Sequence, residues 1–142
     1  MAKDKYLQII DLVEIALTFN EDVFIDLEKV SQNAVAIITD NFKIDVSSYT
    51  HVISTGEIRH TVKRHGKKSN DRNPVEISDF ALIPIIHSSF DRIVLGGIMP
   101  KTKNQCIIFE KKIGDIYYCV EEIRQGRKKL AFVTMYKRKS RI

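Results

Sequence analysis

Apolar residues at helical spacing mark the start of the chain. Within residues 5–18 they recur every three or four positions, which predicts an amphipathic helix. The residues that share its apolar face are Ile9, Leu12, Val13 and Ala16. Residues 22–30 alternate between apolar and polar side chains and predict a short strand. Ser31 stands where an N-cap would begin a second helix over residues 32–42, and residues 43–55 predict a loop with a short extended piece.

The segment EIRHTVKRHG, residues 57–66, carries the next helical pattern. Ser54 with Glu57 three residues later fits a capping box, and Gly66 fits a C-cap. The apolar stripe of this predicted helix consists of Ile58, Thr61, Val62 and His65, and a second face carries His60 and Arg64. A further helix is predicted over residues 79–87, with Ser78 as its N-cap and a kink or end at Pro84.

The last third of the chain changes to a period of two, the spacing of strands. Four runs of β-branched and aromatic residues cover 91–99, 105–113, 116–124 and 130–138. The segments IGDI and RQGRK predict hairpin turns, so the four strands are expected to form an antiparallel meander. In the last strand, Phe132, Thr134 and Tyr136 are expected on one side, and Val133 and Met135 on the other. Helices followed by strands predict a single α+β domain over residues 1–142.

Composition excludes some classes of protein. The 142 residues, 44% of them hydrophobic, suffice for one domain with a core. No apolar run approaches the ~18 residues of a membrane span, and the first residues do not form a signal peptide, so no membrane insertion is expected. Cys106 and Cys119 stand in apolar runs and are predicted to be reduced core or sheet residues.

Charge is distributed unevenly. Residues 1–50 hold 4 Lys or Arg and 9 Asp or Glu, whereas residues 51–142 hold 19 and 9. From Arg124 to the end there are 8 basic residues and no acidic one. A basic half of this strength suits a polyanion, and nucleic acid is favoured over a membrane because no amphipathic basic helix is present. A solubilising tail is the alternative for the terminal KRKSRI.

The candidate chemistry is that of acids and bases without a metal. His60 and His65 are five positions apart, roughly 140° around a helix, so they do not form a zinc-binding pair, and no HExxH or phosphate-binding glycine loop occurs. We therefore predict no metal and no cofactor. RNA supplies its own nucleophile, the 2′-hydroxyl, so its cleavage needs only a base, an acid and cations, which His60, Lys63, Arg64 and His65 provide.

Each of these residues has a plainer interpretation. His65 fits a half-buried packing histidine, His60 a surface histidine, and Lys63 and Arg64 a solvated helix face. On the last strand, Thr134 and Tyr136 could place two hydroxyls together. If the last two strands pair as a hairpin, Arg124 and Glu122 are expected near the last strand. His51 and His87 are predicted to be structural.

Three segments in order resemble a known family: YTHVISTGEIRHTVKRHG, VEISDFALIPIIHSSFDRI and IIFEKKIGDIYYCVEEIRQGRKKLAFVTMYKRKS. They resemble the phage-associated branch of the barnase–EndoU–colicin–RelE-like (BECR) nucleases. The resemblance covers a nuclease-like core at residues 22–140 and leaves residues 1–20 as a helical extension. It implies an α+β fold with N-terminal helices packed on a four- to five-stranded antiparallel β-sheet. It also implies metal-independent ribonuclease activity, often on tRNA, that leaves 2′,3′-cyclic phosphate ends.

The resemblance implies a set of site residues as well. The catalytic candidates are His60, His65, Arg124, Thr134 and Tyr136. Among them, His60 is expected to act as general base or acid, Arg124 as the transition-state cation, and Thr134 to orient the scissile phosphate. The expected phosphate-binding residues are Lys63, Arg64, Lys67, Lys68, Arg127, Lys128 and Lys137.

The resemblance also implies partners. RNA is the expected substrate, and an acidic immunity or inhibitor protein is expected to cover the basic groove. Such a domain acts in the bacterial cytoplasm, either as a phage product or delivered as the C-terminal part of a secreted toxin or phage protein. Two other functions remain open on the sequence. One is a non-catalytic nucleic-acid-binding domain, and the other is a structural or interaction domain of a phage particle.

Overall fold

The computed structural model describes residues 5–140, with side chains from residue 7 onward. The helices are α1 (Lys5–Thr18), α2 (Gln32–Phe42), α3 (Thr55–His65) and α4 (Ile83–Ser89). The strands are β1 (Phe24–Lys29), β2 (Thr50–Ser54), β3 (Arg92–Ile98), β4 (Gln105–Ile113), β5 (Asp115–Arg124) and β6 (Lys129–Arg138). Short 3-10 helices cover Ile77–Leu82 and Gln125–Arg127. No helix in this part of the chain is long and apolar enough to cross a membrane.

All six strands belong to one sheet, in the order β1-β2-β6-β5-β4-β3. Neighbouring strands are antiparallel except β2 and β6, which pair in parallel from Thr50–Lys129 to Val52–Ala131. The α+β class and the predicted antiparallel meander of the last four strands, β3 to β6, are confirmed. The sheet as a whole differs from the prediction, because it has six strands instead of four to five and is mixed instead of antiparallel. Strand β2 is buried at four of its five positions, so its sequence lacks the alternation that signals a strand.

Two predicted N-caps are confirmed. The Ser31 hydroxyl accepts a hydrogen bond from the Ala34 N–H at 3.2 Å, and Ser54 accepts one from Glu57 at 3.4 Å. These caps fix where α2 and α3 begin.

Ser78, in contrast, is not a cap, because the 3-10 helix begins one residue before it, at Ile77. The Glu76 N–H donates instead to the Asp79 carboxylate at 2.8 Å. Pro84 lies in the first turn of α4 and neither kinks nor ends it. A proline is tolerated there because its missing N–H would have no helical partner.

The sheet has one covered and one open face. Phe109, Cys119 and Met135 are cross-strand partners with 0% exposure, and they belong to the core beneath the helices. We call this side the covered face. The next row, Ile108, Val120 and Thr134, lies half-buried on the opposite side, which we call the open face. The predicted burial of Cys106 and Cys119 as free thiols is confirmed.

A β-bulge in β6 changes which side chains share a face. Phe132 pairs with Glu121, but Thr134 pairs with the adjacent Val120, so Val133 is the extra residue. Phe132 therefore joins Met135 in the core. The prediction that Phe132 shares a side with Thr134 and Tyr136 is wrong, because a bulge interrupts the period of two.

Helix α3 begins directly after β2 ends and packs against β6. The Thr61 hydroxyl donates to the Glu57 carbonyl at 2.9 Å and lies 3.2 Å from the Thr134 hydroxyl. Helix α1 packs against α3 and the 3-10 helix, and its predicted apolar face is buried in the core. The α3 side chains are thereby held beside the open face.

Candidate active site

His65 and Asp71 form an ion-pair contact at the C-terminal end of α3. The His65 Nδ1 lies 2.9 Å from Asp71 Oδ2, with side-chain exposures of 21% and 5%. Burial raises the pKa of Asp71, but hydrogen bonds from the Asn73 N–H and His65 and the charge of Arg138 outweigh it and leave the pKa lowered. Asp71 is therefore a carboxylate at neutral pH, and the His65 Nδ1–H donates to it.

The loop that holds Asp71 is built from local hydrogen bonds. The Ser69 hydroxyl donates to the Gly66 carbonyl at 2.6 Å and accepts from the Asp71 N–H at 3.1 Å. The Asp71 Oδ1 accepts from the Asn73 N–H at 2.9 Å, an Asx turn. The carboxylate is fixed in position before any substrate binds.

Aromatic and cationic side chains continue the site onto the open face. The Tyr136 ring centroid lies 5.4 Å from that of His65 and stacks on Tyr118 at 4.9 Å. The Arg138 guanidinium lies 5.0 Å above the Tyr136 ring and also contacts Asp71 at 3.2 Å. Burial raises the pKa of Tyr136, so its phenol stays protonated and is a hydrogen-bond donor.

A cleft of about 600 Å³ opens at this pair. Its lining includes His65 and Asp71 together with four cations, Arg64, Arg72, Arg138 and Lys139. Such a lining attracts an anion and stabilises negative charge that builds on a phosphate. Sequence analysis predicted two of these six residues, His65 and Arg64.

Thr134 lies between the His65 end and the hairpin end of the open face, half-buried beside Thr61. The predicted proximity of Thr134 and Tyr136 on one face is observed, since their partners Val120 and Tyr118 are two residues apart on β5. Thr134 is the partly exposed member of this pair of hydroxyls, whereas Thr61 is fully buried.

Arg124 belongs to a separate cluster at the hairpin end. Its Nε donates to Glu122 Oε1 at 3.1 Å, and Glu122 Oε2 accepts from Thr102 at 2.6 Å and Asn104 at 2.9 Å. A second cleft, of about 770 Å³, opens there. In the pairing of β5 with β6, Arg124 lies opposite Lys129 and Val120 lies opposite Thr134. Arg124 and Val120 are four positions apart on β5, which is roughly 13 Å at strand spacing.

His60 projects from the exposed side of α3, one turn before Arg64. Partial burial and the charges of Arg64, His65 and Lys63 lower the pKa of His60. An unprotonated imidazole is thus favoured at neutral pH. The charge of His65 acts on His60, but no hydrogen bond joins them among the described residues.

The predicted phosphate-binding residues are dispersed. Exposed positions are taken by Lys63, Arg64, Lys67, Lys68, Arg127 and Lys128. Lys137 differs, because its Nζ lies 2.9 Å from Asp79 Oδ2 and 5.7 Å from the Tyr117 ring, on the covered face. Arg64 lies in the first cleft and Arg127 in the second, so the basic residues do not form one patch.

Within the part of the chain that the structure describes, the groups that could hold a metal ion lie elsewhere, in the core. Glu28, His51 and His87 form one such group, and His87, Cys119 and Glu121 form another. The residues of the two groups together come from β1, β2, β5 and α4, and none of them lines either cleft.

Asp71, Arg72, Arg138 and Lys139 were not predicted from the sequence. Asp71 lies in the polar, basic segment KKSNDRNP, and the local signal that could have found it is the preference of aspartate for Asx turns. Arg138 and Lys139 were counted in the basic tail without a role. Their approach to α3 depends on the pairing of distant segments, which no local pattern encodes.

The chain is similar to a known protein family. Neither the curated proteins nor the solved structures give a match. The family model described as phage-Barnase-EndoU-ColicinE5/D-RelE like nuclease3 matches residues 28–142, far more than half of the chain. This match is consistent with the α+β fold. The chain therefore belongs to the phage-associated barnase–EndoU–colicin–RelE-like nuclease family.

Proposed function

We propose that this nuclease is a metal-independent endoribonuclease that acts at the cleft beside α3. The observation that carries the proposal is the His65–Asp71 pair, which opens into a cleft lined by four cations. An imidazole oriented by a carboxylate, with guanidinium groups close by, can move a proton and neutralise a phosphate.

The two histidines divide the proton transfers between them. His60, whose pKa is lowered, takes the proton from the RNA 2′-hydroxyl, and the 2′-oxygen attacks the adjacent phosphorus. Asp71 stabilises the positive charge of protonated His65, which gives its Nε2 proton to the departing 5′-oxygen. The products are a 2′,3′-cyclic phosphate and a 5′-hydroxyl.

The remaining residues hold the phosphates. Arg64 and Arg138 bind the non-bridging oxygens of the scissile phosphate, the Tyr136 phenol donates to it, and Thr134 orients it from the open face. Arg124 binds a neighbouring phosphate at the second cleft. This assignment changes Arg124 from the transition-state cation expected from the sequence to a binding residue, because β5–β6 pairing separates it from His65 and Tyr136.

We further propose tRNA as the substrate and a toxin role in the bacterial cytoplasm. The excess of basic residues after residue 50 supports a large, folded polyanion as substrate. An acidic immunity protein that covers the cleft would protect the producing cell, since its charge complements Arg64, Arg72, Arg138 and Lys139. Delivery as part of a larger secreted toxin or phage protein fits the same role.

The test is to incubate the protein with total bacterial tRNA in EDTA and separate the products on a denaturing gel. The wild type should give discrete fragments, and His60→Ala and His65→Ala should not. Lys112→Ala, an exposed residue that lines neither cleft, is the matched control and should cleave normally. A substrate with 2′-deoxyribose at the mapped cleavage site should stay intact, because it lacks the nucleophile.

Two results would overturn the proposal. Cleavage that requires a divalent cation, although the protein remains folded in EDTA, would show a different mechanism. Intact tRNA with a mobility shift on a native gel, seen equally for the wild type and the histidine variants, would identify a nucleic-acid-binding domain without turnover.

A further inference from the structure

Four ionisable side chains meet in the core. We call them the buried histidine cluster: Glu28 on β1, His51 on β2, His87 on α4 and Glu121 on β5. The His51 and His87 rings stack with centroids 3.5 Å apart and an interplanar angle of 8°. His51, His87 and Glu121 are at most 1% exposed. Charged groups buried this deeply require compensation from their surroundings.

Glu121 links the two rings. Its Oε1 lies 2.7 Å from His51 Nδ1 and its Oε2 lies 2.6 Å from His87 Nε2. A carboxylate accepts hydrogen bonds and an imidazole N–H donates them, so these two contacts place a proton on His51 Nδ1 and on His87 Nε2.

Two hydrogen-bond acceptors of the cluster then have no donor among the described residues. In a neutral imidazole, the contact of His51 Nδ1 with Glu121 Oε1 places the single proton on Nδ1. Its Nε2 is therefore a lone pair, and it is buried with no partner among the described residues. The Glu28 Oε2 is likewise buried and unpartnered, although Oε1 of the same carboxylate lies 2.6 Å from His87 Nδ1.

The arrangement of the side chains gives a second reason for a cation. Two carboxylates, Glu28 and Glu121, meet two stacked imidazoles in a buried site, and His87 contacts one carboxylate oxygen through each of its ring nitrogens. Glu28, His51 and His87 each offer one ligand atom, and these atoms lie within 4.8 Å of one another.

We propose that the buried histidine cluster binds a divalent first-row transition metal, with Zn²⁺ as its occupant. The ligands are His51 Nε2, His87 Nδ1 and the Glu28 carboxylate. Glu121 accepts hydrogen bonds from the other nitrogen of each imidazole, which fixes both tautomers for metal binding. Nitrogen and oxygen ligands of this kind suit zinc, at about 2.0–2.2 Å from the ion.

The expected role of the metal is structural. It would join β1, β2 and α4, which come from distant parts of the chain, and it lies outside both clefts. Glu28, with a side chain 29% exposed, gives the ion a route from solvent. Binding releases the His87 Nδ1 proton to solvent, so each Zn²⁺ taken up should release one H⁺. RNA cleavage by His60 and His65 does not involve this site.

The test is calorimetric titration of the chelator-treated protein with ZnCl₂, in two buffers of different ionisation enthalpy. The wild type should bind one ion per chain, release about one proton, and gain several degrees in Tm. Glu28→Gln keeps the size of the side chain but removes its charge, and should weaken binding at least about tenfold. X-ray absorption of the wild-type complex should show two imidazole nitrogens, which keeps the proposal testable if Glu28→Gln fails to fold.

A double variant, His60→Ala with His65→Ala, is the control for surface binding. It should bind Zn²⁺ as the wild type does, because neither residue belongs to the cluster. No saturable uptake by the wild type would overturn the proposal, as would uptake that this double variant loses and Glu28→Gln retains. A bound water or a second proton would then satisfy His51 Nε2. Cleavage in EDTA is a separate measurement, so failure of one proposal leaves the other standing.

Discussion

His65 and Asp71 lie six residues apart, and their side chains meet at 2.9 Å across the end of α3. The contact depends on the turn after Gly66, where Ser69 and Asn73 hold the Asp71 backbone and carboxylate. A carboxylate that holds one imidazole nitrogen directs the other nitrogen away from it. In this nuclease the cleft with its four cations opens at that point.

Replacement of Asp71 by Asn should lower kcat with little change in RNA binding. The amide keeps the size of the side chain but cannot stabilise a protonated His65, so proton donation to the leaving oxygen fails. We expect a loss in kcat of about 10²–10⁴-fold, the range of general acid–base catalysis. Single-turnover cleavage and a filter-binding titration measure the two quantities separately.

The matched variant is Asp91→Asn, an exposed aspartate on the β3–β4 side of the sheet that lies outside both clefts. It should cleave at the wild-type rate. An Asp71→Asn protein with full kcat would exclude Asp71 as a positioning residue. Equal losses in kcat and in affinity would indicate instead that the loop had unfolded.

The same carboxylate should make stability depend on pH in the acid range. Hydrogen bonds and Arg138 lower the pKa of Asp71 below its ordinary 3.8, so the folded state favours the carboxylate. Its contribution is complete above the unfolded-state pKa and is lost as the pH falls through the lower folded-state pKa. Urea unfolding at about pH 5 and about pH 3 should show a larger loss of stability for the wild type than for Asp71→Asn. Parallel losses in the two proteins would contradict the assignment.

Thr134 can be tested against its own hydrogen-bond partner. Thr134→Val and Thr61→Val both break the contact of 3.2 Å between the two hydroxyls, and each should lower the free energy of unfolding by about 1 kcal/mol. Thr61 is fully buried, whereas Thr134 is partly exposed on the open face. If Thr134 orients the phosphate, kcat should fall in Thr134→Val but not in Thr61→Val. The fall should be about tenfold or more, the effect of one transition-state hydrogen bond. Similar rates for the two variants would assign Thr134 a structural role.

Local patterns predicted the elements better than their assembly. Helix α1 ends at Thr18 as its apolar spacing indicated, and Ser31 and Ser54 cap α2 and α3 because capping is a contact between residues close in sequence. The pairing of β2 with β6 joins residues about 80 positions apart, as in Thr50–Lys129, and no periodicity reports it.

The residues of the candidate site likewise divide into those that a local pattern predicts and those that depend on long-range assembly. The α3 residues were predicted because His60, Arg64 and His65 occur within one helical segment. Asp71 was missed because its role depends on a turn, and Glu121 because a charged residue within a strand pattern suggests an exposed position. Its burial is possible only because His51 and His87 arrive from two other elements. The expectation that these two histidines are structural agrees with their burial in the core.

Arg124 is the residue on which sequence and structure suggest different roles, and its substitution separates them. If Arg124 is the transition-state cation, its removal should lower kcat. If Arg124 binds a phosphate at the second cleft, its removal should weaken RNA binding instead. We expect Arg124→Ala to raise KM with little change in kcat, because Arg124 is paired with Glu122 at the hairpin end. The dependence of log Kd on log salt concentration should also fall by about 0.7–0.9, the value for one phosphate contact. Arg138→Ala is the comparison. Arg138 contacts Asp71, so its removal should lower kcat. A large drop in kcat for Arg124→Ala at saturating RNA would restore the catalytic role, and would require the RNA to bring the two clefts into one site.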